Sequence, residues 1–245
     1  MTTAPTYFLV ALALIAFVSC GDDDGDATAA PDNGQAVDPI GALERGAVLV
    51  TASVSTAPPV TVPGVPEFDV TLDIPVAAFY VGGNLVDVGE VSIDGQALGQ
   101  QGNTYTVTAD FADPSATVID YTDRNWTVAG GGDVPALDVR PTRPQPTLGT
   151  VTAETEIAAG TPYTMSVASI SSADSVYYIL GGVVKRFGAG TRSVTFSADE
   201  VGRAQTSAGS TVAQVAAFNT EQRDVGGFPV FLIGQAVNNK IVTIN

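Results

Sequence analysis

The chain contains no histidine and one cysteine, Cys20, among its 245 residues. Without imidazole there is no Ser-His-Asp or Cys-His catalysis, and no zinc or copper site built on histidine. A metal would have to be a hard cation held by oxygen, such as calcium. A lone cysteine cannot close an internal disulfide, so cross-linking does not stabilise the fold. Positive charge is scarce too: ten Lys and Arg face 26 Asp and Glu, a net charge of −16. That balance leaves no basic face for nucleic acid. The helix formers Leu, Lys and Glu are thin beside Val, Ala, Thr and Gly, which favours strands and turns. No Gly-x-Ser-x-Gly elbow is present, and Gly130-Gly131-Gly132 lacks the Lys-Ser/Thr of a phosphate loop. The expectation is a protein that is not an enzyme and needs no cofactor.

What is present begins at the amino terminus. Residues 8–18 are eleven apolar residues in succession. That is the length of a signal-peptide core and falls short of the roughly 20 residues of a membrane-spanning helix. Phe17-Val18-Ser19-Cys20 follows, then an abrupt change to Gly21-Asp22-Asp23-Asp24. A small residue before the cleaved bond and a polar switch after it mark a processed precursor. Phe17 to Cys20 resembles the lipobox of bacterial lipoproteins. The resemblance implies cleavage before Cys20, lipid on its thiol and attachment to a membrane. Acids directly after that cysteine resemble the surface-export signal of Bacteroidetes lipoproteins, which implies the outer membrane and its outer face.

From Cys20 to about residue 45 the chain is Asp, Gly, Ala, Pro, Asn and Gln with little to bury, the composition of a self-repelling tether. Asp22, Asp24 and Asp26 alternate as in an EF-hand loop. Ala27 stands where that loop needs glycine, and no Glu closes it, so the calcium-loop reading fails. Charge is uneven further on. Residues 46–148 carry twelve acids against three arginines, whereas residues 149–245 carry seven acids against six bases.

Period-two alternation starts near residue 46. Phe68, Val70, Leu72 and Ile74 fall on one side of a strand and Asp69, Thr71 and Asp73 on the other, a strand with one wet face. Further strands are expected at 47–54, 76–81, 85–93, 104–111, 116–121 and 125–129. Gly82-Gly83, Asp94-Gly95, Gly102-Asn103 and Asp113-Pro114 supply turns between them. Three prolines in Pro141–Pro146 oppose helix and central strand alike and mark a boundary. A second series follows at 150–157, 162–170, 175–180, 183–187, 192–197, 211–219, 228–236 and 240–244. Gly181-Gly182 makes a hairpin, and one short helical turn falls within 198–209. The fold class expected is all-β, two tandem antiparallel immunoglobulin-like sandwiches at 46–148 and 149–245. They follow a leader at 1–19 and a tether at 20–45. This layout resembles the small surface lipoproteins of Bacteroidetes and their relatives.

Three groups of residues could carry recognition. Trp126, the only tryptophan, is either a sugar-stacking platform beside the glycine run or the anchor of the first core, and its size favours the core. Tyr177 and Tyr178 are adjacent on one strand, so one of them faces outward and could bind sugar or protein. Asp110, Asp113, Asp120 and Asp123 crowd the turns of the first sandwich and could bind calcium, or simply be solvated turn residues. The function expected is a lipid-anchored envelope module, structural, adhesive or protein-binding. The alternatives are a carbohydrate-binding lipoprotein that assists nutrient capture and, more remotely, a carboxylate-based glycoside hydrolase.

Overall fold

The computed structural model describes residues 43–60, 68–107, 123–204 and 209–245. The expected leader, the tether up to residue 42 and the strand at 116–121 lie outside them. Within them the chain is all-β. The first half supplies β1 (Arg45–Val60), β2 (Phe68–Val81), β3 (Asn84–Leu85), β4 (Val91–Ile93) and β5 (Gln96–Ala97). It continues with β6 (Gly99–Gln101), β7 (Thr104–Thr106), β8 (Trp126–Val128) and β9 (Leu137–Val139). The second half supplies β10 (Thr147–Leu148), β11 (Val151–Thr152), β12 (Glu156–Ile157), β13 (Tyr163–Val167) and β14 (Ile170–Ser171). After these come β15 (Ser175–Leu180), β16 (Val183–Gly188), β17 (Ser193–Phe196), α1 (Ala198–Ala204), β18 (Ser210–Val225) and β19 (Phe228–Ile244).

One long sheet runs through both halves in the order β16-β15-β18-β19-β1-β2-β7-β6, with β12 added on β19 and β3 on β2. Two small sheets complete the sandwiches, β5-β4-β8-β9 in the first half and β11-β13-β17 in the second. The first core joins Leu49, Phe79, Tyr105, Phe228 and Leu232 of the long sheet to Val91, Ile93, Trp126 and Leu137 of the small one. The second joins Val176, Tyr178, Val215 and Val242 to Tyr163, Met165, Val194 and Phe196, with Val201 of α1. Along β19 the core residues Phe228, Val230, Leu232, Val242 and Ile244 are all even-numbered, so both cores lie on the same side of that strand.

The boundary expected after residue 148 is therefore crossed by the sheet. Residues Ala42–Asn245 make one compact unit. β1 and β19 are neighbours in parallel, in register from Ala47 opposite Val230 to Ala57 opposite Lys240. The strands expected at 228–236 and 240–244 are one strand, with Asn238 and Asn239 inside it. They lie mid-strand, opposite Val215 and Gln214 of β18, because a continuous ladder on that side leaves no room to turn. The expected strand at 85–93 is interrupted instead. Gly89 has φ of +76° and Asp87 Oδ1 accepts the Gly89 N–H at 2.9 Å, which breaks the extended run into β3 and β4.

Local chemistry sets the other breaks. Asp94-Gly95 connects β4 to β5 and Gly226-Gly227 connects β18 to β19, and all four residues have positive φ, the condition for the tight turns that fit strand twist. At α1 Ser197 Oγ accepts the Glu200 N–H at 3.3 Å while Glu200 Oε2 accepts the Ser197 N–H at 2.7 Å, a reciprocal cap.

The proline segment crosses the face between the two cores. Gln145 Nε2 donates to the carbonyls of Thr51 and Gln235, each at 2.8 Å. Its Oε1 accepts from Thr51 Oγ1 at 3.0 Å and from the Arg124 guanidinium at 2.9 Å. Asn219 Nδ2 donates to Pro144 O at 2.8 Å and Ser172 O at 2.6 Å. The connection is stapled to the sheet at its middle.

Candidate interaction surface

Because both cores use one side of the long sheet, its other side is set by parity. On β1 that back side holds Val48, Val50, Ala52 and Val54, and on β2 it holds Leu72, Ile74, Val76, Ala78 and Tyr80. On β19 it holds Phe231, Ile233, Gln235, Val237, Asn239 and Ile241, paired with Gln222, Thr220, Phe218, Ala216, Gln214 and Val212 of β18. Ala52, Val54, Ala78, Tyr80, Ala216, Ile233 and Val237 are buried yet belong to neither core. Among the described residues the exposed large hydrophobics are Leu72, Leu85, Val184, Val212 and Ile241. Each of them pairs with, or alternates against, residues that place it on this back side. Ile241 is the most open at 64%. Among the described residues of β1, β2, β15, β18 and β19, only Asp224 puts a charge there, with Arg186 and Glu156 on flanking strands. In a chain of net charge −16, this face is mostly apolar and carries few charges.

The expectation for β2 changes accordingly. Its apolar register points to the back side, and Leu72 is 49% exposed there. The neighbour β7 pairs only with Val76–Ala78, so the start of β2 is an edge among the described residues.

Trp126 is 1% exposed, inside the first core, so its ring is closed to a sugar. The turn of Asp94 positions it: the Asp94 carboxylate accepts the N–H groups of Asp123 at 3.3 Å, Arg124 at 3.0 Å and Asn125 at 2.7 Å. Tyr178 is equally closed, packed edge-on to Phe187 with its hydroxyl donating to Thr191 O at 2.9 Å. Burial pushes its phenol up to about 12. Tyr177 takes the opposite side, as strand geometry requires. It is half-buried on the back face, edge-on to Phe218 at 4.9 Å between centroids, with the Arg186 guanidinium 5.5 Å above its ring. Sequence reasoning expected one outward ring of this pair but had no means to identify the apolar sheet around it.

Of the aspartates considered for calcium, Asp110, Asp113 and Asp120 lie outside the described residues. Asp123 is exposed and 4.0 Å from the Arg140 guanidinium. Among the described residues no three His, Cys, Asp or Glu side chains converge as metal ligands, and no helix is long and apolar enough to cross a membrane.

A separate open groove of about 510 Å³ lies at the end of β19, lined by Glu154, Glu156, Thr161, Tyr163, Thr164 and Asn245 among others. Its hydroxyls are committed: Tyr163 donates to Glu154 O at 2.8 Å and Thr161 to Ala158 O at 2.6 Å. Burial, and then the charge of Glu154, pushes the Tyr163 phenol up to about 12. A phenol that stays protonated at neutral pH and donates to a carbonyl is no general base. The sequence of this chain matches no protein-family model and no curated protein.

Proposed function

We propose that the protein is a non-catalytic envelope module, exported, anchored by lipid on Cys20, and bound to a protein partner through the back face of its long sheet. The single observation that supports this most is that Leu72, Leu85, Val184, Val212 and Ile241, the exposed large hydrophobics among the described residues, share that face. Chance would scatter them. The anchor reading draws on the apolar run at 8–18, Cys20 and the acidic switch after it, and it makes the outer membrane the expected address. Carbohydrate binding is the weaker alternative, since the rings of Trp126 and Tyr178 are taken up by core packing.

Fractionation of cells that express the chain tests the anchor. Cys20→Ala should move the protein from the membrane pellet to the soluble fraction, and an undiminished pellet would refute anchoring. Val212→Thr combined with Ile241→Thr tests the face. It should abolish cross-linking to envelope proteins on intact cells, whereas an unchanged cross-linking pattern rejects the face as the contact. Selective binding on a glycan array would favour the carbohydrate alternative.

A further inference from the structure

β1 and β19 run side by side in the same direction, and each is interior to the sheet. β1 is flanked on its other side by β2, from Arg45 opposite Val81 to Thr56 opposite Val70. β19 is flanked by β18, from Val225 opposite Phe228 to Ser210 opposite Thr243. Neither strand can peel from a free edge. We infer that this parallel pair is a mechanical clamp, passing force from the membrane anchor into the half of the molecule built on the second core. The inference rests on the anchored, adhesive reading above, in which a partner is held while the chain is tied down at Cys20.

The geometry decides how such a force acts. A pull from Cys20 follows the chain into β1 at Arg45, at the end of the sheet where β19 begins with Phe228. The second core, with Val242 and Ile244, lies at the opposite end of β19. Three of the exposed aliphatics, Val184, Val212 and Ile241, are nearer that end. Tension between the two ends therefore runs along the strands and shears the ladder between them. In a parallel ladder the hydrogen bonds are evenly spaced, so those from Ala47 opposite Val230 to Ala57 opposite Lys240 share the force together. At about 3.3 Å per residue that overlap is roughly 35 Å long. A pull across the strands at one end would instead break the bonds in succession. Forced unfolding follows the unfolding barrier, and a barrier that requires all bonds to yield together is the higher one. Gln145 reinforces the middle of the overlap, because its Nε2 bridges Thr51 O of β1 and Gln235 O of β19.

Single-molecule force spectroscopy on the full chain tests this. Cys20→Ser removes the only thiol, so introduced cysteines become the sole handles. Handles at Glu44→Cys and Asn245→Cys pull along the strands. Handles at Glu44→Cys and Gln222→Cys pull across them at one end, with Asp224→Cys as a substitute if the first cross-strand variant does not fold. The expected rupture force is at least about twofold higher in the first arrangement, and Gln145→Ala should lower it there. Equal or lower force along the strands would overturn the clamp. The measurement uses isolated protein, so it is independent of lipid on Cys20, which cell fractionation tests separately.

Discussion

Gln145 lies directly over Gly234, at the one point of β19 where a side chain would block the crossing connection. A Cβ at Gly234 would stand 2.6 Å from Asn219 Oδ1, 2.8 Å from Pro146 Cδ and 3.2 Å from Gln145 Oε1. Asn219 cannot swing aside, since its amide is held by Pro144 O and Ser172 O. Gly234→Ala should accordingly cost about 1–3 kcal/mol, the usual range for overpacking. Chemical denaturation would measure it, and a loss below about 0.5 kcal/mol would show that the crossing has room to shift.

Trp126 is 1% exposed and Ile241 is 64% exposed, and their positions predict opposite outcomes. Trp126→Ala empties a fully buried site in the first core and should cost about 3–5 kcal/mol. Ile241→Thr, on the open back face, should change stability by no more than about 0.5 kcal/mol. Thermal melts of the two variants side by side would check the contrast. Equal losses would contradict the assignment of the back face as a surface held for contact.

Alkaline pH should reveal the buried phenols. Tyr163 and Tyr178 are raised to about 12 by burial, from an ordinary value of 10.0. A folded pKa above the unfolded one gives stability that is complete below pH 10 and is lost as pH rises through the folded value. Burial also raises Tyr80 and Tyr105, so phenolate absorbance at 295 nm should show these four of the described tyrosines titrating late, with Tyr163 and Tyr178 at about 12 and stability declining over the same interval. Phe replacement of Tyr178 should remove one late step.

Acid should act on the pair that ties the proline segment to the start of β15. Arg143 donates to Asp174 Oδ1 at 2.7 Å and to Oδ2 at 2.5 Å, and this holds the Asp174 carboxyl below the usual aspartate range. The lowered folded pKa means the contribution is complete above about 3.8, the ordinary value, and fades as pH falls through the folded one. The pair is half-exposed, so Asp174→Asn should cost less than about 1 kcal/mol at neutral pH. Its penalty should shrink in melts recorded at progressively lower pH. A penalty that grows in acid would contradict the pairing.

Much of the strand content was legible from residues alone. Val176 to Phe187 around Gly181-Gly182 reads as a hairpin and is one, β15 to β16. The alternation of Phe68 to Ile74 gives a strand, β2, as expected, but the alternation does not tell which side of the sheet its apolar residues take. Periodicity states which residues share a side and cannot state what lies against that side. The strands expected at 228–236 and 240–244 are one, because the ladder of β18 runs unbroken past Asn238 and Asn239. Tyr177 was visible as half of an aromatic pair, whereas the face around it required the register of five strands.

The sequence by itself determined the class of this protein. Absent histidine excluded triads and metal sites built on imidazole, and scarce helix formers with dense turn residues made it all-β. Only the tertiary structure decided that the two halves share one sheet. The reason is physical: β1 and β19 meet across nearly the whole chain, and no local pattern encodes a pairing between segments so far apart. That pairing puts both cores on one side of the sheet, and so leaves the other side apolar and in part open.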